Sequence, residues 1–443
     1  MKLSYLKYIG FLAAIAIMGA CADLEELSPN TSVLSESAIT NRASANAALN
    51  GVYDEVDENP FDRWLSLAQY FSDEAEATGT FPTRLEFGNL NVFPANGTMA
   101  GAFSDLYTII NRANNVIDAI PGLKDDAFTG EERNAIVAEA KFLRAHAYLH
   151  LVTLWGEVPL VLTPTLEVGE VLNVPRSSVA DIYGQIIADF TEASNNLDDS
   201  GAPFRASSSA AKGFLARVAL YQERWSEAQS LATEVLGDGF DLTTVPFLDD
   251  QLYSIGYTTA DGNVLNFFYG PSDFGGRYSI GPSNAIIAAF EPGDARFAAS
   301  IDTATAAVAY GLKYPSFNAG ISGTASDPIF VMRHAEMVLI AAEAAAEQGN
   351  FGVASDFFNQ VRSRAGLDPI TLMADNFVDA ILKERFTEFA FEGPFRLIDL
   401  RRKGKALEVL GPIGYDACDN VWPLPLRDID RNQNLQQNDC CNC

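Results

Sequence analysis

The sequence predicts an all-α fold in which paired helices build a scaffold and irregular, loop-rich insertions form a ligand-binding face. Three observations predict it. Apolar residues recur at steps of three and four through several stretches, the spacing that lines one side of a helix. Consecutive stretches are joined by turns of a few polar residues, so neighbouring helices must run antiparallel. The helical period lapses at about 78–100 and 238–330, where Gly, Pro, Thr, Tyr and Phe take over.

Taken in order, the first twenty residues have a secretory layout: Lys2 and Lys7 form a basic start, and Ile9 to Ala20 is apolar and rich in small residues. That run is shorter than the roughly 20 residues a membrane-spanning helix needs, so it reads as an export signal. It ends at Met18-Gly19-Ala20-Cys21, which resembles a bacterial lipobox. Cys21 is therefore the expected lipidation site and mature N-terminus, and residues 21–40, with Asp23, Glu25 and Glu26, the expected tether. Two or three acyl chains anchor a protein stably where one does not.

In "AIVAEAKFLRAHAYLHLVTLWGEVPLV", Ile136, Ala140, Leu143, Ala147, Leu151 and Leu154 make one apolar face, and Gly156 and Pro159 stop it. A helix at about 178–197 carries Ile182, Ile186 and Phe190. Ala211, Leu215, Val218 and Ala219 line the next; Gln222 to Trp225 turn; Ala228, Leu231, Ala232 and Val235 line its partner. The same pairing returns with Val331, Ala335, Val338, Ala341, Ala342 and Ala345 before Gly349-Asn350, and Ala354, Phe357, Phe358 and Val361 after it. This helix–turn–helix unit of about 34 residues is similar to a tetratricopeptide repeat.

Composition narrows the function. The 443 residues hold 58 acidic against 30 basic side chains, a formal charge of -28. Such a field repels phosphate backbones, which argues against nucleic acid as a partner. G-x-S-x-G, H-E-x-x-H and a P-loop lysine motif are absent, and the histidines number three, so the sequence gives no sign of an enzyme. Glu384, Arg385, Glu388, Glu392, Arg396, Asp399, Arg401 and Arg402 alternate in sign near a helix end, the pattern of an internal ion-pair network rather than of a catalytic carboxylate pair. Cys418, Cys440, Cys441 and Cys443 lack the spaced pairs of a zinc site; an exported chain leaves open a disulfide from Cys418 to one of the terminal three, and a loosely constrained thiol tail is the default reading. No cofactor is expected beyond the lipid at Cys21, although acid-rich stretches such as Asp54 to Glu58 make a bracing calcium conceivable.

Several stretches, in one order along nearly the whole chain, resemble the SusD/RagB family of Bacteroidota outer-membrane nutrient-binding lipoproteins. They are Cys21 with its lipobox, "AEAKFLRAHAYLHLVTLWGEVPLV", "DIYGQIIADFTEASNNL", "SSSAAKGFLARVALYQERWSEAQSLA", "ERFTEFAFEGPFRLIDLRRKGK" and "WPLPLRDIDRNQNLQQN". The resemblance implies a single SusD-like domain over 41–443, anchored by lipid at the cell surface. It implies capture of an oligosaccharide, or of a peptide in some branches, for a partner SusC-type TonB-dependent transporter. A surface scaffold without a ligand is the further alternative.

Sugar rings need flat aromatic faces and planar hydrogen-bonding groups. The first excursion supplies Phe81, Arg84, Phe87, Asn89 and Phe93. Ser72-Asp73-Glu74 followed by Pro82-Thr83-Arg84 resembles the part of starch-binding members that presents an Asp and an Arg, here Asp73 and Arg84, to the glycan. The tryptophans of those members are missing from 75–100, which points away from starch itself. The second excursion supplies Tyr253, Tyr257, Phe267, Phe268, Tyr269, Phe274, Arg277 and Tyr278. Tyr269, Phe274 and Tyr278 are expected outside with Arg277, and Phe268 in the core, because "NFFY" alternates like a buried strand. Trp64, Trp155, Trp225 and Trp422 all read as core, Trp64 being the one placed where a ligand could be reached.

Overall fold

A computed structural model describes residues 38–58, 64–165, 173–258, 260, 262–315 and 326–439. Cys21 and the terminal cysteines lie outside them; Cys418 is half-buried. Ten helices of eight residues or more form the frame among the described residues: α1 (Arg42–Asp57), α2 (Gly97–Ala119), α3 (Gly130–Trp155), α4 (Val179–Asn196), α5 (Ser208–Tyr221), α6 (Trp225–Leu236), α7 (His334–Glu347), α8 (Phe351–Arg364), α9 (Phe377–Glu388) and α10 (Phe395–Arg402).

Their ends follow local chemistry. Asn41, Asn96, Thr129, Ser178 and Ser207 cap the starts of α1 to α5, each accepting from a backbone N–H of the first turn. Thr129 and Glu132 complete a reciprocal capping box. Gly156 and Gly237 end α3 and α6 at φ 77° and 71°, where a Cβ would be strained.

Each helix packs on the next from α1 through α6, with α1 resting on α2 and α3. The stack does not stop at the second excursion. α6 packs directly against α7, and α7 against α8, so 238–330 is looped out of a continuous series of antiparallel pairs. α7 is buried from Ala335 to Ala346, all the way round, because α6, α8 and α9 cover it.

The excursions are not featureless. Among the described residues six short strands form three antiparallel pairs: β1 (Ala75–Ala77) with β3 (Ile280–Pro282), β2 (Gln251–Ile255) with β6 (Ile329–Arg333), and β4 (Ile301–Asp302) with β5 (Tyr310–Gly311). β2–β6 closes the neck of the second excursion and lies on α5, where Gly213 makes room: a Cβ there would sit 2.5 Å from the Met332 sulfur. β1–β3, in the register Ala75↔Pro282 and Ala77↔Ile280, stitches the first excursion to the second.

Residues 384–402 are an internal network. Arg296 bonds Asp294, Glu384 and Glu388; Arg333 bonds Asp250, Glu388 and Glu392; Arg385 bonds Asp399; Arg402 bonds Asp399 and Glu343. Burial alone would raise the Glu388 carboxyl, but Arg333, Arg364 and Arg296 hold it well below the usual range. Removing one partner of such a pair strands the other charge and costs about 3–5 kcal/mol.

One expectation is corrected here and one holds. Residues 54–57 are the last turn of α1 rather than a loop, and Asp54 and Glu55 pair with Arg112. Trp64 is 2% exposed and stacks on His150, ring centroids 4.9 Å apart. His150 in turn meets His146, Nε2 to Nε2 at 3.1 Å, and burial pushes both imidazoles down, His146 to about 3.

Candidate ligand-binding site

The β1–β3 pairing decides what the surface presents. Just beyond β1, Thr78 donates its backbone N–H to the Ser279 carbonyl and its hydroxyl to the Tyr278 carbonyl, at 3.1 and 2.5 Å. The chain then enters a short helix, Pro82–Gly88, which Pro82 opens at a position where its missing N–H costs nothing. That helix turns Arg84 and Phe87 inward.

Phe87 is 0% exposed, edge-on to Trp422 at 4.9 Å and to Phe71 at 6.2 Å. It is core, not ligand surface. Arg84 is 8% exposed, and its guanidinium lies 4.3 Å from the centroid of the Phe81 ring and 4.7 Å from that of Phe268. It therefore braces the aromatic surface from beneath rather than extending freely to a ligand.

Phe268 comes from the helix Leu265–Tyr269, where "NFFY" was expected to alternate like a strand. One helical turn instead sends Tyr269 inward, 1% exposed, with its hydroxyl donating to Gln69 Oε1 at 2.5 Å. Phe267 and Phe268 stay half-buried. Tyr269, expected outside, is core, and Phe268, expected in the core, lines the site. The periodicity assumed for the segment set both errors, because a period of two and a period of 3.6 place these rings on opposite sides.

A glycine-rich loop follows. A Cβ on Gly276 would overlap the Gly270 carbonyl, 2.1 Å from its oxygen, and Gly275 has φ 80°. This close approach lets Arg277, Tyr278 and Ser279 donate their N–H groups back to Phe267, Gly270 and Phe268 at 2.7, 2.9 and 2.8 Å. The loop places the exposed Arg277 guanidinium 3.9 Å over the Phe81 ring. Tyr278 sits half-buried at φ 48°, its hydroxyl donating to the Ala309 carbonyl at 2.8 Å. Phe274 is 38% exposed, edge-on to Tyr310 at 5.8 Å.

The structure thus gathers Phe81, Arg84, Arg277 and Phe268 into one cluster, with Phe274, Tyr310 and Tyr278 on the adjoining loops. Asp73 is not part of that cluster. Its carboxylate is held two-pronged by Arg396 of α10, both contacts at 2.7 Å. Sequence reasoning missed Tyr310 and also Glu74, which is buried with Oε1 accepting the Phe391 N–H at 2.5 Å. Burial, with the Asp73 charge adding to it, pushes Glu74 up to about 8 against the opposing Phe391 hydrogen bond and the Arg396 and Lys313 charges.

The cluster is a surface rather than a pit. Cavities of about 520 and 780 Å³ lie elsewhere, the first beside Tyr107 and Asn432, the second beside Glu131 and Asp198, and neither is lined by a residue of the cluster.

Two family models match the chain, one described as the SusD family over residues 299–417 and one as starch-binding associating with the outer membrane over residues 24–220. SusD-like protein P2 of Formosa agariphila is 29% identical, with 98% of this chain and 99% of that protein covered. SusD-like protein P38 of the same organism is 26% identical over 96% and 97%. Among solved structures, a laminarin-binding SusD-like protein superposes with a TM-score of 0.78 at 24% identity, covering 91% of this chain and 100% of that one. A SusD-like carbohydrate-binding protein from Bacteroides fragilis gives 0.78 at 22% identity over 89% and 99%.

Proposed function

Because the chain belongs to the SusD family, we propose that it is a lipid-anchored protein of the cell surface that binds a nutrient oligosaccharide and hands it to a SusC-type TonB-dependent transporter for import. One observation carries the binding half: the β1–β3 pairing sets Phe81, Arg277 and Phe274 from distant parts of the chain on neighbouring turns, where rings and a guanidinium meet a ligand together. Aromatic faces take the C–H-rich side of a pyranose, and Arg donates to its hydroxyls. That a laminarin-binding protein has this fold supports a glycan as the ligand class. The protein acts by binding and delivery, without chemistry of its own.

Anchoring rests on Cys21. Its thioether-linked lipid holds the binding face beside the transporter, and the acidic residues after it serve as surface address and tether. Replacing Cys21 by Ser should release the protein from the membrane fraction.

Calorimetric titration of residues 22–443 with a panel of oligosaccharides and a mixed peptide digest tests the reading. Binding to one glycan class, weakened by Phe81→Ala and Phe274→Ala, is the expected result. The charge of -28 favours basic peptides as the rival ligand, and binding to the digest alone would move the protein to that reading.

A further inference from the structure

We infer that the glycan this face selects carries an anionic group, a uronate carboxylate or a sulfate ester, received by Arg277 above the Phe81 ring. The inference rests on the glycan-binding reading and adds the class of glycan.

The argument starts from what Arg277 lacks. Most exposed or partly exposed arginines elsewhere find carboxylates, as Arg42 pairs with Glu132, Arg205 with Glu139, Arg224 with Glu227 and Arg427 with Asp428, while Arg133 and Arg401 are bonded to backbone carbonyls. With acidic side chains in such excess, that is the expected outcome. The Arg277 guanidinium makes no ion pair and no hydrogen bond among the described residues; its one recorded contact is the Phe81 face. Exposed carboxylates on the same two excursions do not pair with it: Asp273 accepts the Ala307 N–H at 3.4 Å, and Glu76 lies on β1, beside Tyr278. Arg431 is likewise exposed without an ion pair, but no aromatic face lies over it among the described residues.

The inventory of partners then selects the ligand. A sugar hydroxyl both donates and accepts, so a site for neutral sugar does best with acceptors as well as donors. Asp73, the acceptor that the family resemblance places beside Arg84, is consumed by Arg396. What remains over Phe81 is guanidinium, which only donates. A carboxylate or sulfate only accepts, and its oxygens match the planar fork of Arg in a two-pronged, charge-assisted contact. The ring beneath pre-orients that fork and limits its hydration. The protein's overall negative field opposes an anion at long range, but it is screened beyond about 8 Å at physiological ionic strength, whereas the contact pair is not.

The test is calorimetric titration with three oligosaccharide sets of matched length, neutral, uronate-bearing and sulfated, at low and at moderate salt. An anionic set should bind about 10- to 100-fold more tightly than the neutral set, the range of a charged hydrogen-bonded contact. Which set does so separates the two sources of negative charge. Arg277→Gln should erase the difference between sets by weakening the anionic sets far more than the neutral one, with thermal stability unchanged, and Arg277→Lys should keep part of the difference. Neutral glycans binding as tightly as either anionic set, or a preference untouched by Arg277→Gln, would overturn the inference and leave the glycan reading standing. Binding to peptides and to no glycan would overturn both.

Discussion

Phe81 and Phe87 begin and nearly end one short helix, yet only Phe81 meets the site. Phe87 fills the space against Trp422 and Phe71, so Phe87→Ala should cost about 3–5 kcal/mol in denaturant unfolding. Phe274 is exposed, so Phe274→Ala should leave stability within about 0.5 kcal/mol and weaken glycan binding. Glu74 tests the interior differently. Its carboxyl titrates at about 8 in the folded chain against an ordinary 4.5, so it contributes stability that is full below pH 4.5 and lost as pH rises through about 8. Unfolding measured from pH 5 to pH 9 should show this decline, and Glu74→Gln should flatten it. A decline that persists in Glu74→Gln would assign it to other groups.

Among the elements, the helices were readable and the strands were not. α4 and α6 lie where the apolar spacing puts them, because the period repeats over several turns. β1, β3, β4 and β5 span two or three residues each, too few to show alternation, and the β1–β3 pairing, across some two hundred residues, leaves no local mark. Tyr269 and Phe268 exchanged their expected places for the same reason: one turn of helix was read as a strand. The 384–402 network was legible because charges that alternate beside a helix end have few uses other than one another. Arg333→Ala should destabilise the fold by about 3–5 kcal/mol, since Asp250, Glu388 and Glu392 would be left buried around it. Gly281 tests the stitch between excursions. A Cβ there would lie 2.5 Å from the Tyr278 hydroxyl, so Gly281→Val should displace Tyr278 and weaken binding while circular dichroism keeps its helical signal.

At the scale of the whole molecule, the helical stack runs through the break in the sequence, α6 onto α7, and leaves both excursions to meet on one side. The order of helices and the two excursions were plain from composition and period. Which rings face outward was not, because exposure in an irregular loop depends on close approaches such as Gly276 onto Gly270 and on partners such as Arg396 for Asp73. The account stands on the claim that residues from both excursions form one ligand face. Hydrogen–deuterium exchange of the mature protein, with and without the tightest-binding oligosaccharide of the panel, tests it most directly. The account predicts ligand-dependent protection in 76–84 and in 267–278 together; protection confined to one of them, or appearing instead around Tyr107 and Asn432, would contradict it.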